Sequence, residues 1–138
     1  MSVTFGVTPR IRGTLPLPKD ALRVGAMRRI AAARLRYCGL ESMTYEVMLA
    51  VSELLTNSIM HSGGSSITLY MTVRDGYLTV SVTDGGAGRA VPRTASDDDE
   101  SGRGLLLLAS LVQESGGDWG TADNTTWCRF SLTAGVIA

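Results

Sequence analysis

Residues 66–83 read SITLYMTVR-DG-YLTVSVT, two runs that alternate with a period of two on either side of Asp75-Gly76. Asp-Gly is the dipeptide that best tolerates the positive φ angles of a two-residue hairpin turn. The stretch is therefore expected to form an antiparallel hairpin over 66–74 and 77–83, and a slip of one residue would turn its apolar face to water. An apolar sheet face needs cover, and the rest of the chain is read for what supplies it.

Two helices precede the hairpin. Residues 19–38, started by Pro18 or Asp20, place Leu22, Ala26, Ile30, Ala33 and Tyr37 at three-to-four spacing. Arg23, Arg28, Arg29, Arg34 and Arg36 fall mostly elsewhere, so the segment reads as an amphipathic helix closed by Gly39. Ser42 or Thr44 can cap a second helix running to about Ser62, where Gly63-Gly64 ends it. Residues 5–15 suggest a first strand, and Pro9 and Gly13 push it to a sheet edge.

After the hairpin, residues 85–102 hold four glycines, one proline and the acidic run Asp97-Asp98-Asp99-Glu100, with no periodicity. A loop this long inside a compact domain is either functional or disordered. Residues 103–114 read as a short apolar helix, and Trp119-Gly120 and Thr125–Leu132 as closing strands around Asp123-Asn124. The expected fold class is α+β, a two-layer sandwich with helices on one face of a mixed β-sheet.

At 138 residues, 44% hydrophobic and 19% charged, the chain has the size and composition of a single globular domain, 1–138. Thirteen basic and thirteen acidic residues give formal net charge zero, which argues against a general nucleic-acid or membrane binder. The sign is unevenly spread: residues 1–60 carry eight basic and four acidic groups (+4), residues 61–138 five and nine (−4). Cys38 and Cys128 lie ninety positions apart without metal-ligand companions, and either suits a small core position, with a structural disulfide or a reactive thiol as the alternatives. No run approaches a membrane span or a signal peptide, so a reducing cytoplasm is the expected location.

The second helix holds the feature that asks for a function. Glu53, Asn57 and His61 recur every four residues among Val47, Met48, Leu49, Val51, Leu54, Leu55, Ile59 and Met60. Four residues turn about 400° and rise about 6 Å, so the three form a staggered polar ridge. An ionised Glu buried without a partner costs several kcal/mol, so Glu53 faces a charge, a metal or a wet cavity, unless the ridge is simply a solvated rim. Two glycine clusters accompany it. Asp84-Gly85-Gly86-Ala87-Gly88 follows a strand, and Gly102-Arg103-Gly104 opens a helix. The first also describes an ordinary turn and the second ordinary capping, although a free helix N-terminus suits a phosphate.

Glu-x-x-x-Asn on a helix, Asp-x-Gly-x-Gly after a strand and Gly-x-Gly before a helix, in that order, resemble the GHKL (Bergerat-fold) ATPase superfamily. Within it, "AVSELLTNSIMHS", "VTDGGAGRA", "ESGRGLLLL" and "TTWCRFSL" look like the anti-sigma factor serine kinases and the short actinobacterial ATP-binding regulators related to them. The resemblance covers about residues 8–133 and implies ATP held with Mg²⁺ between the helices and a lid at about 85–102. It matches Asn57 to the amide that ligates Mg²⁺, which fits a hard cation that keeps most of its waters. It matches Glu53 to the carboxylate that orients or deprotonates the attacking hydroxyl. Asp84 matches the acceptor for the adenine amino group, and Thr125 a threonine near the adenine. Gly86 and Gly88 match lid turns, and Gly102, Arg103 and Gly104 the phosphate cradle. His61 matches a position often filled in the subfamily, where packing is the simpler role.

By the same resemblance the chain transfers the ATP γ-phosphate to a serine of an anti-anti-sigma (STAS-type) protein and controls a sigma factor. The alternative is a nucleotide-dependent interaction module with little or no kinase activity. A histidine kinase fragment is disfavoured, because no phosphoacceptor helix precedes residue 44. The acidic run at 97–100 is expected to point outward. A homodimer is compatible, and the arginine-rich first helix and first strand are where a partner or second copy is expected.

Overall fold

A computed structural model describes residues 1–6, 18–61, 66–85 and 100–132. In chain order these form β1 (Ser2–Gly6), α1 (Pro18–Cys38), a 3-10 turn (Glu41–Met43), α2 (Thr44–His61), β2 (Ser66–Arg74) and β3 (Tyr77–Asp84). They continue as α3 (Glu100–Glu114), β4 (Asp118–Ala122) and β5 (Thr125–Ser131). The five strands make one sheet in the order β1-β2-β3-β5-β4.

The Asp-Gly hairpin forms where the alternation placed it. Arg74 pairs with Tyr77 across a turn in which Asp75 (φ 53°) and Gly76 (φ 80°) both take positive φ. Register then sends Ile67, Leu69, Met71, Leu78, Val80 and Val82 to the helix side, where all six are buried. Cys128 and Phe130 of β5 and Phe5 of β1 join them. The expected two-layer α+β sandwich is what forms, but every described strand pairing is antiparallel, so the sheet is not mixed. After β3 the chain passes through α3 and β4 before β5 returns beside β3, and the return runs against it.

The edge strand lies earlier than expected. β1 occupies Ser2–Gly6 and shares only Phe5 and Gly6 with the 5–15 stretch; Pro9 and Gly13 lie outside the described residues. Two alternating apolar positions, Val3 and Phe5, with polar neighbours between them suffice for a short edge strand against β2.

α2 is the central helix, buried through Val47, Ala50, Val51, Leu54, Leu55 and Ile59. α1 packs on it from outside and α3 beside it. α1 ends as its Gly39 requires: with φ at 72°, the Gly39 N–H reaches the Arg36 carbonyl at 3.2 Å and the Leu40 N–H the Leu35 carbonyl at 2.8 Å. That pair of bonds is a Schellman cap.

α1 is turned differently from expectation. Its core face is Met27, Ala31 and Leu35, whereas Leu22, Ile30, Ala33 and Tyr37 are exposed. The helix carries two apolar stripes, and the one of Met27, Ala31 and Leu35 is the one buried. Of the two cysteines, Cys128 is in the core, where burial pushes its thiol up to about 12. Cys38 is exposed and both are free, so Cys38 is not a core residue.

Candidate functional site

The carboxylate of Glu53 lies against Gly104. A Cβ built on Gly104 would overlap both carboxylate oxygens and the carboxyl carbon of Glu53. Two of the three sequence motifs, fifty-one positions apart, thus meet at one point: the flank of α2 and the first turns of α3. Any side chain at 104 would displace either the helix or the carboxylate. Partial burial under α3 pushes the Glu53 carboxyl above its ordinary value, because desolvation penalises the charged form.

α3 begins at Glu100, three residues before the expected helix start at 103. Gly102 and Gly104 therefore belong to its first turns and not to the preceding loop, so a glycine placed for close approach also reads as a helix breaker. Gly104 answers to Glu53 by its lack of a side chain. The Arg103 side chain lies outside what is described, as do Gly86, Gly88 and residues 97–99 of the acidic run. His61 closes α2, and its side chain too is outside the described set.

Asn57 is one turn beyond Glu53 and half-buried, on the same flank of α2. Glu46 stands seven residues before Glu53, two turns back on that flank. Its Oε2 is enclosed without a hydrogen-bond partner. Glu46 is not among the residues the sequence singles out; its seven-residue spacing from Glu53 is the signal that places it on the same flank.

At the end of β3, Asp84 is 6% exposed and is the only buried acidic or basic side chain among the described residues. It follows Val80 and Val82 by strand parity, so it faces the helix layer. Its backbone N–H donates to the Asn124 carbonyl at 2.9 Å, tying β3 to the turn between β4 and β5. The Gly85 N–H donates to the Ser66 carbonyl at 2.9 Å, which brings in the start of β2. Five Cα–Cα steps separate His61 from Ser66, a reach of roughly 17 Å at most, so the C-terminal end of α2 and Asp84 lie at the same end of the sandwich.

Thr125 is opposite Thr83, and their hydroxyls bond at 2.7 Å. Both belong to the sheet face away from the helices, so strand parity does not put Thr125 on the face that Asp84 shares. Thr126, opposite Val82, has the inward parity. The structure therefore brings Glu53 and Gly104 together with Asn57 one turn on, sets Asp84 at the end of the fold where α2 finishes, and leaves Thr125 on the other sheet face.

Among the described residues, no three His, Cys, Asp or Glu side chains gather as a metal site. A cation here would have to arrive with most of its own ligands. One amide oxygen from Asn57 fits Mg²⁺ carried on a polyphosphate, and does not fit a dedicated protein cage. A buried acceptor-only carboxylate such as Asp84 fits a ligand that offers an N–H. The residues present thus suit a magnesium–nucleotide.

Comparisons with known proteins bear on the family and the fold. A family model described as the histidine kinase-like ATPase domain matches residues 17–130. Among solved structures, the histidine kinase domain of a blue-light activated histidine kinase from Erythrobacter litoralis is similar in fold, with a TM-score of 0.52 at 22% identity. The match covers 82% of this chain and 61% of that one, so this chain spans less than two thirds of that structure. No curated protein matches.

Proposed function

The chain belongs to the histidine kinase-like ATPase domain family, and from that premise we infer that it is an ATP-binding regulator of the anti-sigma factor type. It transfers the γ-phosphate of ATP to a serine of an anti-anti-sigma partner and so sets how much sigma factor is free. The cytoplasm is where such partners and ATP occur together. The observation that carries the reading is Glu53 held against Gly104 beside Asn57, with its proton affinity raised.

In this reading Asp84 accepts from the adenine amino group, and its buried position makes that one bond selective against a carbonyl at the same ring position. Asn57 would hold Mg²⁺, which would supply charge neutralisation along the polyphosphate. Glu53 orients the serine hydroxyl of the partner and takes its proton as the serine oxygen bonds to the γ-phosphorus. The bond from that phosphorus to the bridging oxygen breaks, and ADP leaves with the electron pair. Partial burial suits Glu53 to this work, since a base with raised proton affinity accepts a proton more readily near neutral pH. Gly104 positions the base by leaving its carboxylate room.

The test is incubation with labelled Mg-ATP and candidate anti-anti-sigma proteins. Phosphoserine on the partner that disappears in Glu53→Ala is the expected result. Saturable ATP binding with no transfer to any partner contradicts the kinase role and leaves a nucleotide-dependent interaction module.

A further inference from the structure

The side of α1 that α2 does not cover is neither polar nor bland. Leu22 is 74% exposed, Ile30 38% and Tyr37 81%, three large apolar side chains on one helix facing solvent. With Ala26 and Ala33 they recur at three-to-four spacing. At 100° per residue all five fall within about an 80° sector, and at 1.5 Å per residue they extend for about 22 Å. The fully buried residues Met27, Ala31 and Leu35 lie outside that sector; within it Ala26 is half-buried and packed against the core, while Leu22, Ile30, Ala33 and Tyr37 are exposed.

Arginines border the stripe on both sides. The same helical geometry places Arg29 and Arg36 along one edge and Arg23 and Arg34 along the other, all exposed. Residues 22–38 contain five arginines and no acid. Arg34 lies over the Tyr37 ring at 5.1 Å from its centroid, which fixes an aromatic-and-cation pair at one end of the stripe. Tyr and Arg are the residue types that most often anchor protein interfaces. Ala33, exposed near the middle, and the small, half-buried Ala26 leave room for a second helix to approach closely, at the usual 8–10 Å between axes.

We propose that the outer face of α1 is a docking surface for an acidic amphipathic helix of a partner protein. Its apolar ridge would lie along Leu22, Ala26, Ile30, Ala33 and Tyr37, and Asp or Glu on both its flanks would meet the two arginine rows. The pattern decides against other occupants. A second copy joined through α1 would set arginine against arginine. A nucleic acid duplex would engage the arginines but lay Leu22 and Ile30 against phosphates. An anionic bilayer favours a broad apolar face, and this one is a narrow stripe with alanine at two of five positions. An acidic helix can dock on α1 whether or not nucleotide binds at α2.

The experiment selects a displayed library of 20-residue helical peptides against the whole protein and measures the enriched peptides by fluorescence anisotropy. Convergence on Leu or Ile at three-to-four spacing with acidic flanks is expected. Binding should weaken about tenfold or more in Arg29→Glu/Arg36→Glu and again in Leu22→Ser/Tyr37→Ser. It should be unchanged in Arg74→Glu, on the exposed hairpin turn. All of these side chains are exposed, and an unaltered thermal midpoint checks that each variant folds. The proposal is overturned if no peptide is enriched, if enriched peptides lack acids, or if the α1 variants bind them equally well. It is also overturned if phosphatidylserine vesicles or a 20-base-pair DNA duplex bind more tightly through the same arginines. Self-association that the arginine changes abolish overturns it in favour of a second copy.

Discussion

α1 and α2 lie side by side and depart from the apolar-in, polar-out rule in opposite directions. α2 is central and mostly buried, yet carries Glu46, Glu53 and Asn57 along one flank, with one carboxylate pressed against Gly104 and another enclosing an oxygen that has no partner. α1 is peripheral and turns Leu22, Ile30 and Tyr37 to water. Polar groups inside cost stability unless something answers them, and apolar groups outside forgo stability they could have contributed. A helix that departs from the rule one way is reporting a ligand or chemistry. One that departs the other way is reporting a surface that another molecule covers.

The largest effect expected from this contrast is on the two stripes of α1. Leu35→Ala, on the buried stripe, should cost about 2–5 kcal/mol in urea unfolding, while Leu22→Ala, on the exposed one, should stay within about 0.5 kcal/mol. Equal losses would mean that α1 has no free face. Next comes Asp84→Asn, which replaces a charged acceptor with an amide. ATP binding should weaken about ten- to hundredfold, corresponding to about 1.5–3 kcal/mol, by isothermal titration.

Gly104→Ala should destabilise the fold by about 1–3 kcal/mol through overlap with Glu53. Adding Glu53→Ala should recover much of that loss, a coupling readable from a double-mutant cycle. Purely additive losses would show that the two residues do not press on each other.

The smallest expected effect is pH-dependent. The Glu53 carboxyl is raised above its ordinary value of 4.5 by burial, so the folded state holds this proton more tightly than the unfolded state. Stability contributed by the protonated form is full below 4.5 and is lost as pH rises through the raised value. Glu53→Gln should flatten that slope above pH 4.5, as read from chemical denaturation at each pH.

The strands were legible because their signals are local. Asp75-Gly76 and Asp123-Asn124 sit where the chain reverses, and alternation alone assigned the faces of β2 and β3. The seam on α2 was legible too, since helical spacing brings residues 53 and 57 onto one flank whatever the tertiary fold. The face α1 buries was not. Its two apolar stripes are both periodic, and no local signal selects Met27, Ala31 and Leu35 over Leu22, Ile30 and Tyr37; the choice is made by packing against the rest of the fold. Gly104 was found as a motif residue, but the reason for it lies across the fold in Glu53, which no spacing along the chain could reveal. The outward parity of Thr125 depended on the registry between β3 and β5, a long-range pairing.

The central claim is that a magnesium–adenine nucleotide is what the α2 flank and Asp84 are built to receive. Isothermal titration of the whole protein with Mg-ATP tests it most directly, with thermal unfolding run in parallel. One saturable site is expected, with stabilisation of about 2.7 kcal/mol at a hundredfold excess over the dissociation constant, both reduced in Asp84→Asn. Folded protein that takes up neither Mg-ATP nor Mg-ADP, and whose unfolding midpoint ignores both, would contradict it.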